Sequence, residues 1–303
     1  MLPPHDETSY DEELGRAISL FERLDDLYIS FCDWKPPTKA EDPEETLSIA
    51  KDIPYCFNSI RITSFHCHNI TSLSFSGIRS KEDHGMLMQS LPQAKGLKRL
   101  SLVYRFDFLL SSLGPGFSGG LDSKDFWNTV GELEKLRKLV VAYMPLDDLE
   151  FDSRWSPKTF KPLLTHVCLE EVALSRGVTS ALFQNSKNLR SLTAGKHLIQ
   201  HLAALPAMPY PHLGDLDLSL PNVSEAFDAL SLFKNAPLQS LAMTIPKIQD
   251  FLHSYPESTL RHPTLTNMAV YEIYSEAEQM MTQDAKRQWV ARYGERGIDL
   301  EVN

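Results

Sequence analysis

Two short stretches of the chain carry residue types whose spacing could do chemistry. The first is GPGFSG, Gly114 to Gly119, which has the spacing of a dinucleotide-binding glycine turn. Such a turn must leave a strand directly and open a helix, so that backbone amides meet a pyrophosphate. About ten residues separate this stretch from the strand pattern before it, and no acid-ended strand follows at the required distance. The Gly-Lys-Ser/Thr of a phosphate loop is missing too, so a flexible insertion loop is expected. The second is FHCHN, with His66, Cys67 and His68 together and Cys56 and Cys32 upstream. On a strand His66 and His68 share a face and could offer two imidazoles to zinc. No second ligand pair stands at a conventional spacing, so an irregular polar turn is expected, with no metal and no other cofactor.

Catalytic motifs are missing: there is no nucleophile elbow, no HExxH and no paired-carboxylate pattern. Scattered Ser, His and Asp residues can still assemble in space. Two classes therefore stand. A non-catalytic protein-recognition scaffold is the leading expectation. The alternative is an enzyme or metal-binding protein whose site is assembled on an irregular α/β fold.

Bulk properties narrow the partners. Thirty basic against forty acidic side chains leave a net charge of −10, which argues against nucleic acid, whose binding requires phosphate neutralisation. No run of about 18 apolar residues suggests a membrane span, and MLPPHDETSYDEE lacks the basic and apolar regions of a secretory leader. Four scattered cysteines without a CxxC pair fit reduced thiols in the cytoplasm or nucleus.

The elements that would position any site follow from one recurring spacing, apolar residues stepping by three and then by two. It appears at Leu24-Leu27-Ile29, Ile70-Leu73-Phe75, Leu97-Leu100-Leu102, Leu136-Leu139-Val141 and Leu164-Val167-Leu169. It continues at Leu189-Leu192-Ala194, Leu213-Leu216-Leu218, Leu238-Leu241-Met243 and Leu265-Met268-Val270. From Leu73 onward the middle positions differ by 27, 39, 28, 25, 24, 25 and 27. Apart from the 39, these are leucine-rich-repeat periods. In LxxLxL the last two apolar residues point inward from a short strand, and the first caps the core from the entering turn. One unit cannot bury its own apolar face, so units must stack. The expectation is an α/β solenoid over residues 1–303, a horseshoe with a parallel concave sheet and convex helices.

Helices are expected at SKDFWNTVGELEKL, on the stripe Phe126, Val130 and Leu133, and from an N-cap at Ser224 with Phe227, Leu230 and Phe233 behind it. A capping box at Ser275 and Glu278 opens a stripe of Ala277, Met281, Ala285, Trp289 and Tyr293. With GIDLEVN behind it, 275–303 reads as a C-terminal capping helix and strand. Residues 31–54 and 103–122 break the rhythm and read as loop excursions, and SIRITSFHC fits no full repeat.

These repeats resemble leucine-rich-repeat proteins, and more narrowly the degenerate repeat domain of filamentous-fungal F-box proteins. The residues that carry the resemblance are LTSLSFSGI, LKRLSLVYR, LTHVCLEEVAL, LGDLDLSLP and WVARYGERGIDLEV, within roughly residues 14–303. The resemblance implies ubiquitin-ligase substrate recognition, in which an F-box docks the ligase adaptor and the repeats hold the substrate. No F-box-like segment precedes the first repeat, so an adaptor contact requires an F-box elsewhere. The position usually held by Asn is Ile78, Arg105, Met144, Val172, His197, Pro221, Pro246 and Ile273, so no side-chain amide ladder is expected.

Binding is expected on the concave face, where alternate strand residues point away from the core. Arg99 and Lys138 suggest a basic stretch with Ser101 and His166 nearby, and Asp215 with Asp217 an acidic one further on. Asn267 continues the row, and Tyr28 and Tyr271 are candidate aromatic anchors.

Overall fold

Strands returned to the same side by short connections fall side by side in chain order. The computed structural model describes residues 26–30, 70–78, 81–104, 123–144, 155–172, 174–246, 248–255, 262–272 and 282–302. Within these, β1 (Asp26–Ser30), β2 (Ser72–Ile78), β3 (Arg99–Tyr104), β4 (Lys138–Ala142) and β5 (His166–Glu170) run in sequence. They continue into β6 (Ser191–Gly195), β7 (Asp215–Ser219), β8 (Ser240–Ile245), β9 (Asn267–Glu272) and β10 (Asp299–Val302). All belong to one sheet in the order β1 to β10, and every neighbouring pair is parallel. This is an α/β architecture compatible with a leucine-rich-repeat solenoid.

The three-then-two spacing has a packing cause. Leu97, Leu136, Leu164, Leu189, Leu213 and Leu238, from the entering turns, are all buried, as are the paired strand residues from Leu73 and Phe75 to Met268 and Val270. These residues share one core with the helices α1 (Lys81–Ser90), α2 (Ser123–Gly131), α3 (Arg176–Phe183), α4 (Lys196–Ala203), α5 (Val223–Leu232) and α6 (Ile248–Ser254). The last helix, α7 (Gln283–Gly294), contributes Trp289 and Tyr293. Each fully buried Leu stabilises by roughly 1.5–3 kcal/mol.

A backbone ladder sets the strands in register. The carbonyl of the residue before each strand accepts two amides from the next unit. The Lys98 carbonyl takes Arg137 N and Lys138 N at 2.8 and 3.0 Å, and the Arg137 carbonyl takes Thr165 N and His166 N at 2.8 and 3.1 Å. Thr165, Arg190, Gly214, Gln239 and, with one amide, Thr266 repeat the pattern down the stack. Where an asparagine ladder would stand, at and beyond the other ends of the strands, Ile78, Met144 and Val172 are instead buried apolar side chains.

Several local expectations shift. β3 runs to Tyr104, two residues into the excursion expected from residue 103, because Tyr104 is buried and hydrogen-bonded to His84 Nδ1 at 2.8 Å. The N-cap of α5 is Asn222, not Ser224; its Oδ1 accepts Glu225 N at 2.8 Å. The described C-terminal helix starts after Thr282, whose hydroxyl accepts Ala285 N at 3.2 Å, and Ser275 and Glu278 lie outside the described residues. Leu133 is buried but lies in the turn beyond α2. Residues 31–54, 105–122, the GPGFSG stretch, FHCHN, Ala277 and Met281 lie outside the described residues.

Before β5 an extended strap over 155–163 runs against α2 and α3. Ser175 Oγ donates to the Trp155 carbonyl at 2.7 Å and caps α3 by accepting Val178 N at 3.0 Å. Gln184 Nε2 donates to the Phe160 carbonyl at 2.8 Å, and Lys161 pairs with Glu132 and Glu134 at 2.8 and 3.1 Å. Gly177 is needed because a Cβ there would run into the Trp155 carbonyl. Gly177→Ala should therefore destabilise by about 1–3 kcal/mol. Gly195→Ala, which meets open space, should change the denaturant midpoint little.

His262 joins successive units from inside the core. Its Nε2 lies 3.0 Å from the Phe233 carbonyl and its Nδ1 lies 3.4 Å from the Tyr255 hydroxyl. Burial holds this imidazole below its ordinary 6.5, with the Phe233 carbonyl partly opposing. The unfolded chain then binds the proton more readily. The stability due to neutral His262 is present above about pH 6.5 and is lost as pH falls through the lower folded value. Melting temperature should fall as the protein is acidified from neutrality, with a shallower decline in His262→Gln.

Candidate functional site

The sheet has one covered face and one open face. Strand residues of the first set, such as Leu216 and Leu218, are buried, whereas alternate residues such as Asp215 and Asp217 are exposed or half-buried. Parallel pairing aligns that second set into rows. The first row runs Asp26, Ser72, Arg99, Lys138, His166, Ser191, Asp215, Ser240, Asn267 and Asp299. The second runs Tyr28, Ser74, Ser101, Val140, Cys168, Thr193, Asp217, Ala242, Ala269 and Glu301.

Arg99, Lys138 and His166 therefore occupy adjacent strands and are exposed, with Ser101 half-buried beside Arg99. Asp215 lies two strands beyond His166, and Asp217 lies half-buried in the second row. Partial burial and then Lys138 hold the His166 imidazole below its ordinary value, with Asp215 opposing and Arg190 and Arg99 reinforcing. Asn267 is exposed at β9. The two tyrosines are not brought together. Tyr28 is on β1, opposite Ser74; Tyr271, 39% exposed, is on β9 in a further row with Thr244. At about 4.8 Å per strand, eight strand intervals separate them by roughly 38 Å.

Some of the site is legible only in three dimensions. Glu170, at the end of β5, accepts the Tyr143 hydroxyl at 2.9 Å. Tyr143 and Glu171 both have left-handed backbone, φ 57° and 48°, and Tyr143 N donates to the Glu170 carbonyl at 2.9 Å. Burial raises the Asp217 carboxyl above the usual range, and Glu170 adds to the rise. A cation brought to this corner would relieve that repulsion. Burial also pushes the Cys168 thiol up, partly offset by its hydrogen bond to Thr193. That is opposite to the activation of a thiolate nucleophile.

The second overlooked set lies on the rim where the strands begin. Lys98, Arg137 and Arg190 directly precede open-face residues, and the carbonyl ladder fixes their order. The signal was a basic residue just before the strand, repeated in three units. Lys98 and Arg190 are exposed. Arg137 rests on the carbonyls of Glu134 and Leu136 at 3.1 and 2.9 Å.

Other chemistry is sparse among the described residues. No group of three or more His, Cys, Asp or Glu side chains is placed to hold a metal ion, and no helix is long and apolar enough to cross a membrane. A groove of about 460 Å³ lies away from the open face, between Leu202–Tyr210 and the end of α5. It contains none of the sequence-selected site residues. No protein-family model matches this chain, and a search of curated proteins finds no match to it either.

Proposed function

We propose that the chain is a leucine-rich-repeat recognition scaffold, curved as a horseshoe, which binds a protein partner on its open sheet face. The observation that carries this reading is the contrast between the two faces. One is a continuous apolar core; the other aligns charged and polar side chains that no described element covers. A rigid sheet holds such groups at fixed spacing, so little ordering is required when a partner docks. The resemblance to fungal F-box repeat proteins adds that the partner is a substrate delivered to a ubiquitin ligase, the adaptor being held by an F-box elsewhere.

Affinity capture with three forms of the protein tests the face. Ser191→Trp with Ser240→Trp blocks the sheet; Asp228→Lys with Gln249→Lys changes exposed positions on α5 and α6. Proteins retained by the unsubstituted chain should be lost by the first variant and kept by the second, both variants melting like the parent. The opposite result assigns binding to the helical side and overturns the reading.

A further inference from the structure

Resting on that reading, we infer that the partner presents an extended acidic peptide segment that crosses β3 to β6. Arg99 on β3, Lys138 on β4 and His166 on β5, with Lys98, Arg137 and Arg190 directly preceding β3, β4 and β6, form one basic band on a chain of net charge −10. None of these side chains forms an ion pair among the described residues, where the nearby acids Glu132 and Glu134 are already paired with Lys161. Burial is the main depression of the His166 imidazole; Lys138, Arg190 and Arg99 deepen it, and Asp215 opposes. An anion laid on the band gains attraction without breaking existing pairs.

The spacing specifies the ligand further. Parallel strands lie about 4.8 Å apart, so β3 to β6 spans about 14 Å, and alternate residues of an extended peptide lie about 6.8 Å apart. Carboxylates at every second position then fall at β3, between β4 and β5, and at β6. The next alternate position falls at about 20 Å, close to β7 at about 19 Å. There Asp215 reverses the sign of the row. The segment therefore reads acid-x-acid-x-acid-x-base, in either chain direction.

Fluorescence anisotropy with labelled synthetic peptides tests this at about 50 mM salt, where screening is modest. DSDSDSK should bind saturably and weaken as salt rises; NSNSNSK should not bind, and DDDSSSK, of equal charge, should bind more weakly. Arg99→Glu with Lys138→Glu should reduce affinity for DSDSDSK at least about tenfold without lowering the melting temperature. Lys234→Glu with Arg287→Glu, the same charge change away from the band, should leave it unchanged. Equal binding by the band variant, no saturable binding by the parent, or tighter binding of a single-stranded oligonucleotide of matching charge overturns the inference. If the peptide fails while captured proteins are still lost with Ser191→Trp and Ser240→Trp, the scaffold reading stands and only the acidic segment falls.

Discussion

Replacing Leu216 with Asp is expected to abolish cooperative folding. Leu216 sits in the middle of β7, 2% exposed, flanked in register by Leu192 on β6 and Leu241 on β8, which are fully buried. A carboxylate there would have no polar partner within an apolar core, and an isolated buried charge costs several kcal/mol or more. Marginal stability of about 5–15 kcal/mol leaves little to absorb that loss. Leu216→Ala should be milder, lowering stability by about 2–5 kcal/mol through lost transfer energy and the cavity left behind. Near-UV circular dichroism and a urea titration distinguish the outcomes. An Asp variant that melts like the parent would show that Leu216 does not face the core.

Cutting the chain near residue 150 should leave neither half folded and soluble. The cut falls between β4 and β5, whose facing core residues Leu139, Val141, Val167 and Leu169 are all buried against neighbouring units. Each fragment would also expose one edge of a parallel sheet with a row of unpaired amides and carbonyls, a template for aggregation. Stability in such arrays is a sum of weak units and strong neighbour contacts, so the break removes the larger contribution for the flanking units. Separate expression of residues 1–150 and 151–303 should give insoluble material or broad, non-cooperative melting. Two soluble halves, each with a sharp transition, would instead indicate independent domains.

The amino-acid sequence alone determined the register of the sheet. LxxLxL has a local cause, side chains alternating on a strand after one buried turn residue. Repetition turned that local rule into an order for the strands, so the covered row from Leu73 to Met268 and the open row from Arg99 to Asn267 were legible before any coordinates. Helix starts were less so, because several residues near each start can cap. Asn222 and Ser224 are both competent, and in the folded chain it is Asn222 Oδ1 that accepts Glu225 N. Tertiary structure alone decided which amides meet at the start of each strand. Main-chain carbonyls of Lys98, Arg137 and Arg190 each accept two amides from the next unit, and amide pairing of this kind leaves no mark on side-chain identity. It also decided which charges belong together. Arg99 and Arg190 are 91 residues apart in the chain but only three strands apart in space, whereas Tyr28 and Tyr271, each a candidate aromatic anchor, lie at distant strands. Likewise, the contact between Tyr143 and Glu170 depends on two left-handed residues at strand ends, a conformation that neither side-chain type announces.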